Sequence, residues 1–397
     1  MFGGQKQKPE SSEQYAPDQP GPFPHYCSAI PEQNDVRDYE LCYDAKRSAM
    51  GRSRMRIRVP FLILMYWLWN GASLICASPR ALGRFEFVEP HMGTRFQIVL
   101  YAPDAAAAQR AAQAAFARIA ALDDSMSDYR ASSELMRLSA QSGGAPVRVS
   151  EDLFRVLVAA QDMARRSDGA FDVTVGPVVR LWRMARLSHK LPDPVRLAAA
   201  KKLVGYGRVQ IDARTRTVQL LAPGMILDLG GIAKGYAADA ALTVLKEHGI
   251  TRALVAGGGD IAVGDSPPGE DGWTIGIAPL ESPDAAPQRF VHLHDAAIST
   301  SGDAEQHVEI DAIRYSHVID PRTGQALTGR RSATIIAPNS TTSDALATAV
   351  CVLGPQSGLK LVNSLPGTEA LFVTETPRGT KTIESRFPPP ARAKPRP

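Results

Sequence analysis

Residues 225–249 read MILDLGGIAKGYAADAALTVLKEHG: a strand-like apolar run, two adjacent glycines, then a helical stretch with Ala237, Ala240, Ala241, Val244 and Leu245 on its apolar side. The unit joins strand to helix with no linker, so sheet and helix belong to one core. Gly230 and Gly231 let bare backbone approach a ligand, and the amides and dipole at a helix entry favour an anion such as phosphate. The alternative is that these glycines only permit tight strand-to-helix packing. The loop is not a P-loop, because Tyr236 and Ala237 replace the Lys-Ser or Lys-Thr pair after Gly235, and Lys234 sits inside the glycine loop instead.

Elsewhere strand and helix patterns mix without strict alternation. TRFQIVLYA reads as a strand, and DAAAAQRAAQAAFARIAALDDSM as a helix capped by Asp104. SEDLFRVLVAAQDMARRSDG is a second helix, ending at Gly169. RVQID and TVQLLA predict a hairpin around ARTR, and MILDL, RALVA, WTIGIA, FVHLHD, AIST and SATIIA predict further short strands. No repeat is visible at periods of 20 to 50 residues. The expected class is α+β, with helices packed on mostly antiparallel sheets.

At 397 residues, 44% hydrophobic and 22% charged, the chain can bury a substantial core. Its net charge of +4 points to no nucleic-acid patch and no acidic partner. Residues 1–54 are rich in Pro, Gln, Glu and Asp and are read as a disordered extension. Residues 55–78 carry an apolar run from Val59 to about Ile75, preceded by a basic stretch from Arg52 to Arg58, the order of a secretory signal. A retained membrane anchor, or a lipid on Cys76, is the alternative; Met50 or Met55 would be a more usual start for such a signal. Cleavage near Ala77 leaves Cys351 alone, so no internal disulfide is expected. The folded domain is placed at 84–384, and the proline-rich residues 385–397 are read as a disordered tail.

Three further stretches bear on chemistry. In TTSDALATA, Asp344 and Thr348 lie one helical turn apart and share a face. Either Ser343 or Asp344 caps a helix running to about Leu353 while Thr348 bonds its own backbone, or the two side chains act together on a ligand. ALVAGGGDIAVGD satisfies a loose GxGxxA, but no helix follows it, so a dinucleotide fold is not supported. YSHVIDPRTG sets His317 and Asp320 beside a turn, either as structural residues or for proton transfer. No Ser-His-Asp order, CxxC pair or HExxH is present.

Eight of these segments, HMGTRFQIVL, SMSDYRASSEL, GAFDVTVGPVVRLW, LDLGGIAKGYAAD, ALVAGGGDIAVGD, AISTSGD, YSHVIDPRTG and SDALATAVCVLG, resemble in order the ApbE family of FAD:protein FMN transferases, over about residues 84–375. The resemblance implies an ApbE-like fold. It implies a Mg²⁺-dependent enzyme that moves FMN from FAD to a Thr or Ser hydroxyl of a target protein and releases AMP. It also implies an exported enzyme, on the periplasmic side of the inner membrane, acting on membrane redox subunits. Position by position, Met92, Tyr129, Ala170, Phe171, Asp172, Asp228, Lys234 and Val318 match residues that contact FAD. Gly231, through its carbonyl, with Asp344 and Thr348, matches the metal ligands, an all-oxygen set suited to a hard cation.

His317 is the expected base or relay for the target hydroxyl, and Asp303 a lesser candidate. The aromatic faces of Tyr129 and Phe171 could cover flavin or adenine, or be core. Ser139 stands where the family often carries Asn, and Ala304 where an aromatic is frequent, departures expected to touch the region that holds FAD. Two rival readings share these residues: a metal-dependent FAD pyrophosphatase giving FMN and AMP, and a non-catalytic FAD-binding lipoprotein.

Overall fold

The computed structural model describes residues 81–280, 286–302 and 306–390. The extension, the leader with Cys76, Asp303 with Ala304, and residues 391–397 lie outside them.

Strands β1 (Gly83–His91) and β2 (Thr94–Ala102) form a hairpin whose turn residues, Met92 and Gly93, have φ of 50° and 71°. That left-handed pair matches the twist of the strands it joins. The backbone N–H of Met92 donates to Asp123 at 3.0 Å, which holds a non-glycine residue in this conformation.

Helix α1 (Ala105–Met126) begins as expected at Asp104, whose carboxylate accepts from Ala107 N at 2.8 Å. Then follow α2 (Glu134–Ala140), β3 (Val147–Arg148), α3 (Glu151–Arg166), α4 (Gly176–Ser188) and α5 (Pro194–Lys201). The expected hairpin around ARTR is β4 (Val209–Asp212) with β5 (Thr217–Leu220), and α6 (Ala233–Glu247) is the helix after the double glycine. Next come β6 (Ala253–Gly257), β7 (Asp260–Val263), β8 (Trp273–Ile277), β9 (Arg289–Leu293) and β10 (Ala296–Gly302). β11 (His307–Ile310), β12 (Ile313–Asp320), β13 (Gln325–Thr328) and β14 (Arg331–Ala337) precede α7 (Ser340–Ser364). β15 (Glu369–Thr376) and β16 (Gly379–Ser385) close the described chain.

Eight strands form one sheet in the order β1-β2-β6-β7-β10-β14-β15-β16, and every ladder in it is antiparallel. The fold is α+β, as the patterning indicated. Period-two alternation sends Phe96, Ile98 and Leu100 of β2, with Ala333 and Ile335 of β14, into a core shared with α1, α3, α6 and α7. The intervening Val99 and Ile336 face the opposite side, where Trp273, Ile275, Val291 and Leu293 of the β8–β9 hairpin cover them. The sheet is therefore a middle layer with helices on one face and a small hairpin on the other.

Two local expectations fail. MILDL is not a strand: Met225, Leu227 and Leu229 are buried, but Leu227 N donates to Ser139 Oγ at 3.1 Å and Asp228 N to Val173 O at 2.8 Å. Its amides are thus satisfied by a side chain and a loop rather than by a ladder. Nor do Ser343 or Asp344 cap α7. Asn339 does, accepting from Thr342 N at 2.8 Å, which places Asp344 and Thr348 inside the helix. α7 runs regularly to Leu353 and kinks at Gly354 (φ 71°) before Pro355. It is long and apolar enough to cross a membrane, yet Ala345, Leu346, Ala347, Ala349 and Val350 are packed in the core against the sheet.

Candidate functional site

A cavity of about 760 Å³ opens where α6, α7, β7, β10, β12 and the loop after α1 converge, within the usual size range of small-molecule sites. Each described residue expected at the site lines it. Asp303 lies outside the described residues. Ser139 does not line the cavity; its buried hydroxyl bonds Leu135 O and Leu227 N, so this departure acts on the loop before the double glycine rather than on the cavity wall.

The double glycine and the alanine-rich helix meet. A methyl group on Gly231 would stand 2.9 Å from Thr348 Oγ1 and 3.3 Å from the Phe171 ring, so a side chain there would fill the space between the two segments. One turn on, a methyl on Gly235 would lie 2.2 Å from Ser340 O, which is why α6 and α7 can approach backbone to backbone only at glycine. Gly235 N donates to Asp344 Oδ2 at 3.1 Å. From the sheet side, β10 presents hydroxyls to α7: Ser299 Oγ lies 2.7 Å from Ser343 Oγ, and Ser301 Oγ 3.2 Å from Thr348 Oγ1. A polar stripe therefore runs between an otherwise apolar helix and its strand.

Asp344 is 2% exposed. Burial and then the nearby Asp260 carboxylate push its carboxyl up to about 7, against the pull of Lys234 and the Gly235 amide. Lys234 Nζ pairs with Asp260 at 2.8 Å, which commits its charge to the neighbouring carboxylate. Asp344 is thus short of positive charge. Among the described residues no three His, Cys, Asp or Glu side chains group as a metal centre. The side chains at this meeting point supply a carboxylate and a hydroxyl, and with the backbone carbonyl of the adjoining glycine turn such a set would fit a hard divalent cation that keeps positions for other oxygen ligands.

Arg183 of α4 also lines the cavity and acts as a hub. It pairs with Asp128, donates to Asp228 Oδ2 at 2.9 Å and lies 4.3 Å from the centroid of the Tyr129 ring. Tyr129 is 77% exposed, and that cation covers one face of its ring. The other Asp228 oxygen accepts from Gly230 N at 2.8 Å, so one carboxylate ties the glycine turn to α4. Asp172 accepts from Thr174 N at 2.9 Å, Thr174 Oγ1 at 2.7 Å and Tyr206 N at 2.7 Å, and burial raises its pKa. Its visible work is to fold the loop that carries Ala170 and Phe171.

His317 is exposed at the cavity rim beside buried Val318. Its Nδ1 lies 3.0 Å from Gln306 O. A carbonyl can only accept, so Nδ1 is the donor in this contact.

Arg183, Asp128, Asp260, Ser301 and Gln306 were not anticipated. For Asp260 a signal existed in GGGD: Gly258 and Gly259 form the two-residue turn of the β6–β7 hairpin, with Gly257 paired to Asp260, so an acid directly after the turn emerges at the sheet end. Arg183 carries no local signal.

Residues 92–372 match the model of the ApbE family. The FAD:protein FMN transferase of Treponema pallidum is 35% identical over 313 residues, covering 75% of this chain and 86% of that relative. A protein of the same name from Klebsiella pneumoniae is 33% identical over 289 residues, covering 72% and 87%. The solved flavin transferase ApbE from Vibrio cholerae superposes with a TM-score of 0.68 at 30% identity, over 77% of this chain and 98% of that one. The matched region contains the whole cavity, from Met92 in the first hairpin turn to Thr348 on α7. Sheet order, cavity and sequence are accounted for together on one basis: the chain belongs to the ApbE family.

Proposed function

We propose that this protein transfers FMN from FAD to a Thr or Ser hydroxyl of an acceptor protein, with release of AMP. The observation that carries the reading is the meeting of Gly231 with Thr348, and of Gly235 one turn on with Asp344, at the wall of a cavity large enough for a dinucleotide. The relatives named as FAD:protein FMN transferases and the solved flavin transferase support it.

In this reading the Gly231 carbonyl, Asp344 and Thr348 would hold Mg²⁺. Bound there, the ion would supply charge stabilisation to phosphate oxygens. The chain's own residues do the rest. The glycine turn admits the diphosphate against bare backbone, Tyr129 and Phe171 offer aromatic faces to the rings, and the Arg183 hub holds the loop after α1 and the glycine turn to α4. The acceptor oxygen forms a bond to the FMN-side phosphorus, and the bond from that phosphorus to the bridging oxygen breaks, with its electron pair leaving on AMP. His317 Nε2 takes the hydroxyl proton, its tautomer set by Gln306. Asp303 is the lesser candidate for that role. The basic-then-apolar leader supports export and action at the periplasmic face of the inner membrane, and the family resemblance favours a membrane redox subunit as the acceptor.

Incubation of the full chain with FAD, Mg²⁺ and a candidate acceptor subunit is expected to add the mass of FMN, less water, to one acceptor Thr or Ser, read by mass spectrometry of the intact protein and its peptides. Asp344→Ala is expected to abolish the addition. Unchanged labelling by that variant would remove the metal reading. Rapid release of free FMN and AMP without acceptor would replace transfer with hydrolysis.

A further inference from the structure

Asp239 lies in the motif GYAAD, and neither the cavity nor the proposed chemistry uses it. It is on α6, one turn beyond Gly235, and does not line the cavity. Its carboxylate takes three donors from the first turn of α7: Ser340 N at 2.8 Å, Thr341 N at 2.8 Å and Thr341 Oγ1 at 2.6 Å. Two of these are amides at the start of a helix that have no partner within the helix, and a carboxylate is their strongest acceptor. In return, Asp344 of α7 accepts from Gly235 N of α6. The two helices thus exchange carboxylates across a contact that Gly235 makes close, since any side chain there would strike Ser340 O.

The exchange has a geometric consequence. α6 starts at Ala233, two residues after Gly231, and α7 carries Asp344 and Thr348 in the two turns after the clamp. Sliding α7 along α6 would separate the glycine turn from both side chains at once. The Ser299–Ser343 and Ser301–Thr348 contacts and the apolar packing around them hold α7 to the sheet, whereas the carboxylate exchange ties α7 to the first turns of α6. We infer that Asp239 is a positioning residue: it sets the register of α7 against α6 and thereby the spacing between the Gly231 carbonyl and the Asp344–Thr348 pair. The inference rests on the proposed function insofar as that spacing serves a divalent ion.

Ion binding separates this role from a merely stabilising one. The full chain, free of FAD, is titrated with Mn²⁺, and free ion is counted by electron paramagnetic resonance. Stability in chelator is measured in parallel. Asp239→Asn keeps the size but presents an amide NH₂ where one of the α7 donors needs an acceptor. Asp152→Asn is the control: Asp152 on α3 takes Tyr236 Oη of α6 at 2.7 Å and Arg118 of α1, so its loss loosens α6 on another side. Both variants are expected to lose stability. Only Asp239→Asn is expected to weaken the ion's Kd, by tenfold or more. Thr341→Val, which deletes one of the three bonds, is expected to weaken it two- to fivefold and decides the matter should Asp239→Asn fail to fold. Binding by Asp239→Asn within twofold of the parent, or equal weakening by Asp152→Asn, overturns the positioning role while leaving the proposed function standing. No Mn²⁺ binding by the parent chain overturns both.

Discussion

Asp344 is ionised only at a cost when no cation is present, and this gives a signed pH dependence. Its folded pKa, about 7, lies above the ordinary 3.8, so the protonated form favours the fold. That contribution is complete below about pH 4 and is lost as pH rises through 7. In chelator, the stability of Asp344→Asn relative to the parent should therefore grow between pH 4 and pH 8, by an amount on the order of a few kcal/mol. Paired urea titrations across that window check it, and a flat difference would show that the carboxylate is not shifted. Gly231 makes a second prediction: in Gly231→Ala the new methyl meets Thr348 Oγ1 and the Phe171 ring. Labelling should fall on the order of 10²-fold from displacement of aligned groups, with little change in Tm, as measured by labelling rate and calorimetry. Residue types at these positions were readable as a chemical set, an acid and a hydroxyl one turn apart plus a glycine turn. The ion pairs were not, because Arg183 reaches Asp128 and Asp228 from 55 and 45 residues away, and nothing local marks such pairing.

Helix α7 shows how one element can serve core and site together. Its apolar residues pack against the sheet, while Ser343 and Thr348 meet the β10 hydroxyls and Asp344 meets the α6 backbone. The close crossing at Gly235 is the sensitive point. Gly235→Ala would put a methyl 2.2 Å from a backbone oxygen, and neither helix can yield without moving the other. A loss of about 3 kcal/mol is expected in urea unfolding; a cost under 1 kcal/mol would mean that the helices are less closely packed than described. The start of α7 was misread because Asn339, Ser343 and Asp344 are all good capping residues, and the choice among them depends on where the preceding strand β14 delivers the chain. MILDL was misread because alternating burial looks the same whether the backbone pairs in a ladder or, as here, with Ser139 and Val173.

For the whole molecule, one large core runs from β1 and β2 through the helices to β14 and β15, so the described fold should unfold as a unit. Leu346, fully buried in that core, tests this: Leu346→Ala should cost roughly 2–5 kcal/mol and shift a single urea transition seen equally by fluorescence and circular dichroism. Separate transitions would mean that the helix layer and the sheet are independent. Composition, alternation and turn residues were enough to indicate an α+β chain, half of its described strands, the capped α1 helix and the β4–β5 hairpin, because these follow from preferences of neighbouring residues for dihedral angle and burial. The order β1-β2-β6-β7-β10-β14 and the meeting of Gly235 with Asp344, 109 residues apart, carry no such mark. They arise from packing summed over the entire core, a many-body quantity that places a cavity between segments whose own sequences say only what they could bind.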